Sequence, residues 1–113
     1  MMTTKEFLER YDNEEHFNEA ELETIFELDF YHNEDDKVYI IEEEYDEPRR
    51  WSRFHTRWVE INGRFFELNA DEGLTEYQDT EYMIQPQEVT YKQVTRTIVV
   101  TENEYSYIER GNK

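Results

Sequence analysis

The side chains in this sequence that could do chemistry are three histidines and a large excess of carboxylates. His16, His32 and His55 lie in three unrelated segments with no ligand spacing between them. Each therefore reads as a surface or internally satisfied histidine rather than a metal ligand. Glu34-Asp35-Asp36, near Asp29 and His32, is the run best placed to attract a divalent cation. It lacks the alternating ligand positions, central glycine and terminal glutamate of a calcium loop, so it reads as a solvated acidic loop. There is no phosphate-cradling glycine loop, no serine in an elbow context and no cysteine. That removes thiol nucleophiles, disulfides and zinc–thiolate sites from consideration. Carboxylate pairs recur so often that none marks a general acid or base. The expectation is a protein that is not an enzyme and uses neither cofactor nor metal.

What remains is charge. The 113 residues carry 29 acids against 12 Lys and Arg, a net charge of −17. Direct nucleic-acid binding needs a basic footprint, which this chain lacks. A basic protein surface, such as that of a nuclease or another DNA-binding enzyme, is the complementary partner. The charge is also segregated. Residues 1–47 hold 18 acids and three bases, and residues 71–88 hold six acids and no base. Between them, residues 48–70 carry five arginines against two glutamates. The switch is abrupt at Y-I-I-E-E-E-Y-D-E-P-R-R-W, Tyr39 to Trp51. On a strand Glu42 and Glu44 share one face and Glu43 takes the other, so this strand must outrun the core or its acids must be paired. Arg49, Arg50 and Arg53, past a bend at Pro48, can fold back as partners, but five acids there (Glu42, Glu43, Glu44, Asp46, Glu47) outnumber them.

The elements that position these charges follow from periodicity. A hydrophobic share of 36% is low, but an aromatic share of 16% supplies a core for one domain of this length. Thr3 with Glu6, and Asn18 with Glu21, are capping-box patterns. Phe7, Leu8 and Tyr11, then Leu22, Ile25, Phe26 and Asp29, follow at helical spacing, while Glu19, Glu23 and Glu27 line an outer face. Two short acidic helices are predicted within residues 1–33. Residues 37–108 then read as an antiparallel sheet of about four strands, giving an α+β fold. Val38 to Tyr45 and Arg50 to Ile61 are strands, and Asn62-Gly63 sets a type I′ hairpin. That turn pairs Ile61 with Arg64, Glu60 with Phe65, Val59 with Phe66 and Trp58 with Glu67. Val59, Ile61, Phe66 and Leu68 become a core face; Phe54 and Trp58, on the other face, require covering by helices or by a partner. Ala70 to Tyr82 is an acidic connection, in which Thr75-x-x-Gln78 hints at a helical turn. Val89 to Thr101 is one long strand, with Val94, Ile98 and Val100 on one face, and Y-S-Y-I extends it.

Rows of carboxylates about 5–6 Å apart on a helix can imitate part of the field of duplex DNA, which carries one charge per ~1.7 Å of axis. The candidate partner-binding residues are Glu42, Glu43, Glu44, Asp46 and Glu47, together with Glu34, Asp35 and Asp36 or with Asp71, Glu72, Glu76 and Asp79.

Arg57 to Leu68 followed by Glu72 to Tyr82 resembles a group of small acidic proteins of bacteriophages that infect Gram-positive bacteria. The likeness rests on Trp58, on Gly63-Arg64-Phe65-Phe66 and on Gly73-Leu74-Thr75-Glu76-Tyr77-Gln78-Asp79. Q-P-Q-E-V and the Thr/Val-rich segment to Thr101 extend it, so that it covers residues 55–101. The resemblance implies a phage origin and carries no site residues across. Such proteins include anti-CRISPR and anti-restriction inhibitors. The expected function is inhibition of a host nucleic-acid-processing enzyme by acidic DNA mimicry, with a type II CRISPR effector nuclease as the leading target. The alternative is a phage assembly or interaction module, oligomeric through an aromatic strip of Trp51, Phe54 and Trp58. With no long apolar run in the sequence, a soluble protein of the host cytoplasm is expected, without membrane contact. The sequence leaves the oligomeric state open.

Overall fold

A computed structural model describes residues 2–31, 34–48, 52–74, 79–96 and 100–108, with only the backbone described at 94–96 and 100–102. Two helices, α1 (Thr4–Asp12) and α2 (Glu19–Phe26), precede five strands. These are β1 (Val38–Tyr45), β2 (Ser52–Ile61), β3 (Arg64–Gly73), β4 (Gln87–Arg96) and β5 (Val100–Tyr107). They form one antiparallel sheet in the order β1-β2-β3-β4-β5. The α+β fold is as the sequence predicts, with one strand more. No helix among the described residues is long and apolar enough to cross a membrane.

Both helix starts are set locally. Thr3 Oγ1 accepts from the Glu6 amide at 3.0 Å. Asn18 and Glu21 exchange side-chain-to-backbone bonds of 2.9 and 3.0 Å, a complete capping box. α2 is shorter than the apolar pattern suggests. It ends at Phe26, and Leu28 turns left-handed with φ of 54°, so Asp29 lies beyond the helix.

The β2–β3 hairpin forms in the predicted register, with Ile61 opposite Arg64 and Val59 opposite Phe66. Asn62 and Gly63 take φ of 51° and 85°, the left-handed pair a type I′ turn demands. Val59, Ile61, Phe66 and Leu68 are buried as expected. Phe7, Tyr11, Phe17, Ile25 and Phe26 from the helical part pack onto them. Phe66 meets the edges of both Phe7 and Tyr11 at 5.1 Å, a favourable aromatic geometry.

The C-terminal part differs from the sequence reading. The segment read as one strand from Val89 to Thr101 is a hairpin, with Arg96 opposite Val100 and Val89 opposite Tyr107. Ile98 and the side chains of Val94 and Val100 lie outside the described residues. β4 pairs with β3 over Phe65 to Glu67 only, and the β4–β5 ribbon then folds across the sheet face opposite the helices. Tyr105 stacks on Trp58 at 4.7 Å, and Tyr91 packs between Tyr105 and Phe65. This corrects the expectation for Trp58: its cover is neither helix nor partner but the chain's own last hairpin. Trp58 is 9% exposed and Phe54 is half-buried. The segment read as an acidic connection also begins as strand, since β3 continues to Gly73 opposite Ser52. Residues 75–78, and with them the proposed helical turn, lie outside the described residues.

Candidate functional site

A charged network forms where β1, β2 and β3 run past the end of α2. Its placement depends on a β-bulge in β1. Ile40 pairs with Val59, but Glu42 pairs with Trp58, so Ile41 is the extra residue. The bulge inverts the alternation. Val38 and Ile40 share the helix-facing side with Ile61 and Val59, and after the bulge Glu43 and Tyr45 take that side opposite Arg57 and His55.

His55 is the centre of the network and is 1% exposed. Its Nε2 lies 2.8 Å from Glu43 Oε1 and its Nδ1 lies 2.7 Å from Glu72 Oε2. A neutral imidazole has one N–H, so only the doubly protonated ring donates to both carboxylates. Tyr45 stacks on the ring at 4.0 Å, and Phe26 meets it edge-on at 5.0 Å. Arg57 donates from Nε to Glu43 at 2.7 Å and from Nη1 to the Phe26 carbonyl at 2.7 Å, closing the exposed end of α2. Its guanidinium also lies over the Phe26 ring, 4.4 Å from the centroid. Arg53 lies 3.8 Å from Glu72 and 4.1 Å over Tyr45. This differs from the expectation that Arg53 pairs with the β1 acids; Arg57 does so instead. Arg49, Arg50 and Trp51 lie outside the described residues.

The protonation equilibria reflect this crowding. The Arg57 hydrogen bond, aided by His55, holds the Glu43 carboxyl below the usual carboxylate range against a smaller opposing cost of burial. The Tyr82 hydroxyl is pushed up to about 12, first by burial and then by the carboxylates of Glu27, Glu23 and Glu72. Four carboxylates from α2, β1 and β3 thus converge around Arg57, His55 and Tyr82. Both ring nitrogens of His55 are engaged, and the ring is sealed from solvent. Among the described residues no group of three or more His, Asp or Glu has the geometry to hold a metal ion.

The twelve predicted partner-binding acids fall into distinct groups. Glu43 and Glu72 belong to the histidine network. Glu42 points to the opposite face, where it accepts from Asn103 Nδ2 at 2.6 Å and from the Tyr105 hydroxyl at 3.0 Å. Asp36 accepts from Thr4 Oγ1 at 2.9 Å and Asn62 Nδ2 at 3.1 Å, tying α1 to the β2–β3 turn. Asp71 is half-buried, and its backbone bridges Glu81 in both directions at 2.9 Å. Glu34, Asp35, Glu44, Asp46, Glu47 and Asp79 are exposed and form no ion pair with another described residue. Glu76 lies outside the described residues. On α2, Glu19 and Glu23 are exposed as predicted, while Glu27 lies 3.7 Å from Arg57. The sequence leaves His55 as either a surface or an internally satisfied histidine and does not name its partners. Its alternation with Arg57, Val59 and Ile61 was the available signal.

Comparison of the chain with protein-family models, with curated proteins and with solved structures finds no match.

Proposed function

We propose that this chain is a non-enzymatic acidic ligand that occupies the basic groove of a host nucleic-acid-processing enzyme and so inhibits it by stoichiometric binding. The observation that carries the reading is the set of exposed acids left over once the internal network is complete. Glu44 lies exposed near the end of β1, Asp46 and Glu47 follow that strand, and Glu34 and Asp35 precede it. At a net charge of −17, carboxylates with no ion-pair partner among the described residues cost stability through self-repulsion, and a basic partner would relieve that cost. The likeness of residues 55–101 to small acidic phage proteins supports a phage origin and action in the host cytoplasm.

A type II CRISPR effector nuclease is the target we put first. Such an enzyme reads its short DNA motif with paired arginines and holds the guide–target duplex in a basic channel, so an acidic protein can compete there. The test is DNA cleavage by a purified effector–guide complex titrated with the chain. Inhibition is expected to saturate at a fixed stoichiometry and to weaken when the chain is added after the DNA. Reversing Glu44, Asp46 and Glu47 together to lysine is expected to abolish inhibition with the fold intact. Inhibition that survives reversal of this cluster, and of Glu34 with Asp35, would refute mimicry.

A further inference from the structure

We propose that the open edge of β1 takes up an extended basic segment of a protein partner as an added strand. β1 is the first strand of the sheet, and among the described residues nothing pairs with its outer edge. The neighbouring ladder fixes which backbone groups face outward. The Asp46 amide donates to the Phe54 carbonyl and the Asn62 amide to the Lys37 carbonyl, each at under 3 Å. By antiparallel alternation the peptide groups of Glu42 and Glu44, and of Tyr39, then face β2, whereas those of Val38, Ile40, Glu43 and Tyr45 face the open edge. Tyr39, Ile40 and Tyr45 also leave large apolar side chains exposed along it.

The side chains select the occupant. A strand laid beside β1 meets Val38, Tyr39 and Ile40 at one end and exposed Glu44 at the other, with Asp46 and Glu47 just beyond. Glu42 and Glu43 are already engaged by Asn103, Tyr105, Arg57 and His55. Opposite charges directly across a sheet are stabilising and like charges are not, so the fitting segment is β-branched with Lys or Arg facing the acidic end. A second copy of this chain fits poorly. Antiparallel pairing of two β1 strands about their midpoint sets Glu43 opposite Ile40 and Glu44 opposite Tyr39, between chains of −17 each. Carboxylates and a bulge are devices that keep edges from joining one another, and here they leave the edge open to a basic strand alone. The inference rests on the proposed function in one respect: that the partner is a basic protein.

The test uses the isotope-labelled full chain and three probes. One is the synthetic peptide acetyl-Thr-Lys-Val-Arg-Val-Lys-Thr-amide. The second is the same peptide N-methylated at two adjacent central residues, which blocks both of its edges without changing its charge. The third pairs the first peptide with the variant Ile40→Pro, which removes an outward donor and is tolerated at a sheet edge. The first peptide is expected to shift the amide resonances of Val38, Ile40, Glu43 and Tyr45 and to slow their hydrogen exchange. N-methylation, or Ile40→Pro, is expected to weaken binding about tenfold or more, since each removes backbone hydrogen bonds. Equal binding of both peptides would overturn the edge while leaving a purely electrostatic acidic ligand standing. Absence of binding, or shifts confined to other strands, would also overturn it, and the cleavage assay decides the proposed function separately.

Discussion

Glu43 and Glu44 are neighbours of the same type, yet the structure gives them opposite roles, and neutralising each in turn exposes the difference. In Glu43→Gln the charge that receives Arg57 Nε at 2.7 Å and faces His55 Nε2 at 2.8 Å is lost. A hydrogen bond to a charged group contributes about 1.5–3 kcal/mol when well shielded. A third of the Glu43 side chain still meets water, and the glutamine oxygen keeps one contact, so a net loss of about 2 kcal/mol is expected. With an unfolding entropy of roughly 2.1 cal/mol/K per residue over 113 residues, that lowers Tm by about 8 °C. Glu44→Gln removes an exposed charge with no ion-pair partner among the described residues and should change stability by less than ~0.5 kcal/mol. Urea unfolding followed by the fluorescence of buried Trp58 measures both, and a shift in midpoint at constant slope reports stability. The gap has a pH signature. The folded carboxyl of Glu43 titrates below its unfolded value, so its contribution is present above the ordinary carboxylate pKa. It is lost as pH falls through the folded value, and wild type and Glu43→Gln should converge there. Equal midpoints for the two variants at pH 7, or a larger loss for Glu44→Gln, would refute the bulge-directed alternation on which the whole site depends.

Three further outcomes follow from the same structure. Raising NaCl from about 0.02 to about 0.5 M should increase the urea midpoint, because salt screens the repulsion among unpaired acids more than it weakens the enclosed pairs; a falling midpoint would contradict this. In an alkaline titration followed by tyrosinate absorbance, Tyr82 should ionise near pH 12, and Tyr105, buried and hydrogen-bonded to Glu42, should also lag the exposed tyrosines. Since both are raised on folding, their contribution to stability is intact below the unfolded tyrosine value near ~10 and is lost as pH rises through the folded values. Gly63→Val should cost about 1–2 kcal/mol, because φ of 85° is unfavourable for a β-branched residue although the space around it is open, and chemical denaturation reads this directly.

The parts of the fold that the sequence discloses are those with local causes. Thr3, Asn18 and Glu21 announce helix starts because capping is a contact between residues three apart. Asn62-Gly63 fixes a whole hairpin register because two left-handed residues leave only one short turn. The features it conceals are non-local. Nothing between Arg96 and Val100 is Gly, Pro, Asn or Asp, so the β4–β5 hairpin has no turn residue to betray it. Ile41 carries no mark of a bulge either, and yet it decides that Glu43 rather than Glu42 meets His55 and Arg57. The acids could be counted from the sequence, but their division into enclosed and exposed groups depends on which strand passes beside them. Glu42 is enclosed only because Asn103 and Tyr105 return from some sixty residues away.

The proposed function is engagement, by the exposed carboxylates, of a basic protein groove that otherwise holds nucleic acid. It is tested most directly by the affinity of the labelled chain for a purified type II effector–guide complex, measured by fluorescence anisotropy at salt concentrations from about 0.05 to about 0.5 M. Tight binding at low salt, a steep loss as salt rises, and displacement by duplex DNA bearing the recognised motif are expected. An affinity that does not change across the range, or an effector that binds the chain and its DNA together, would contradict it.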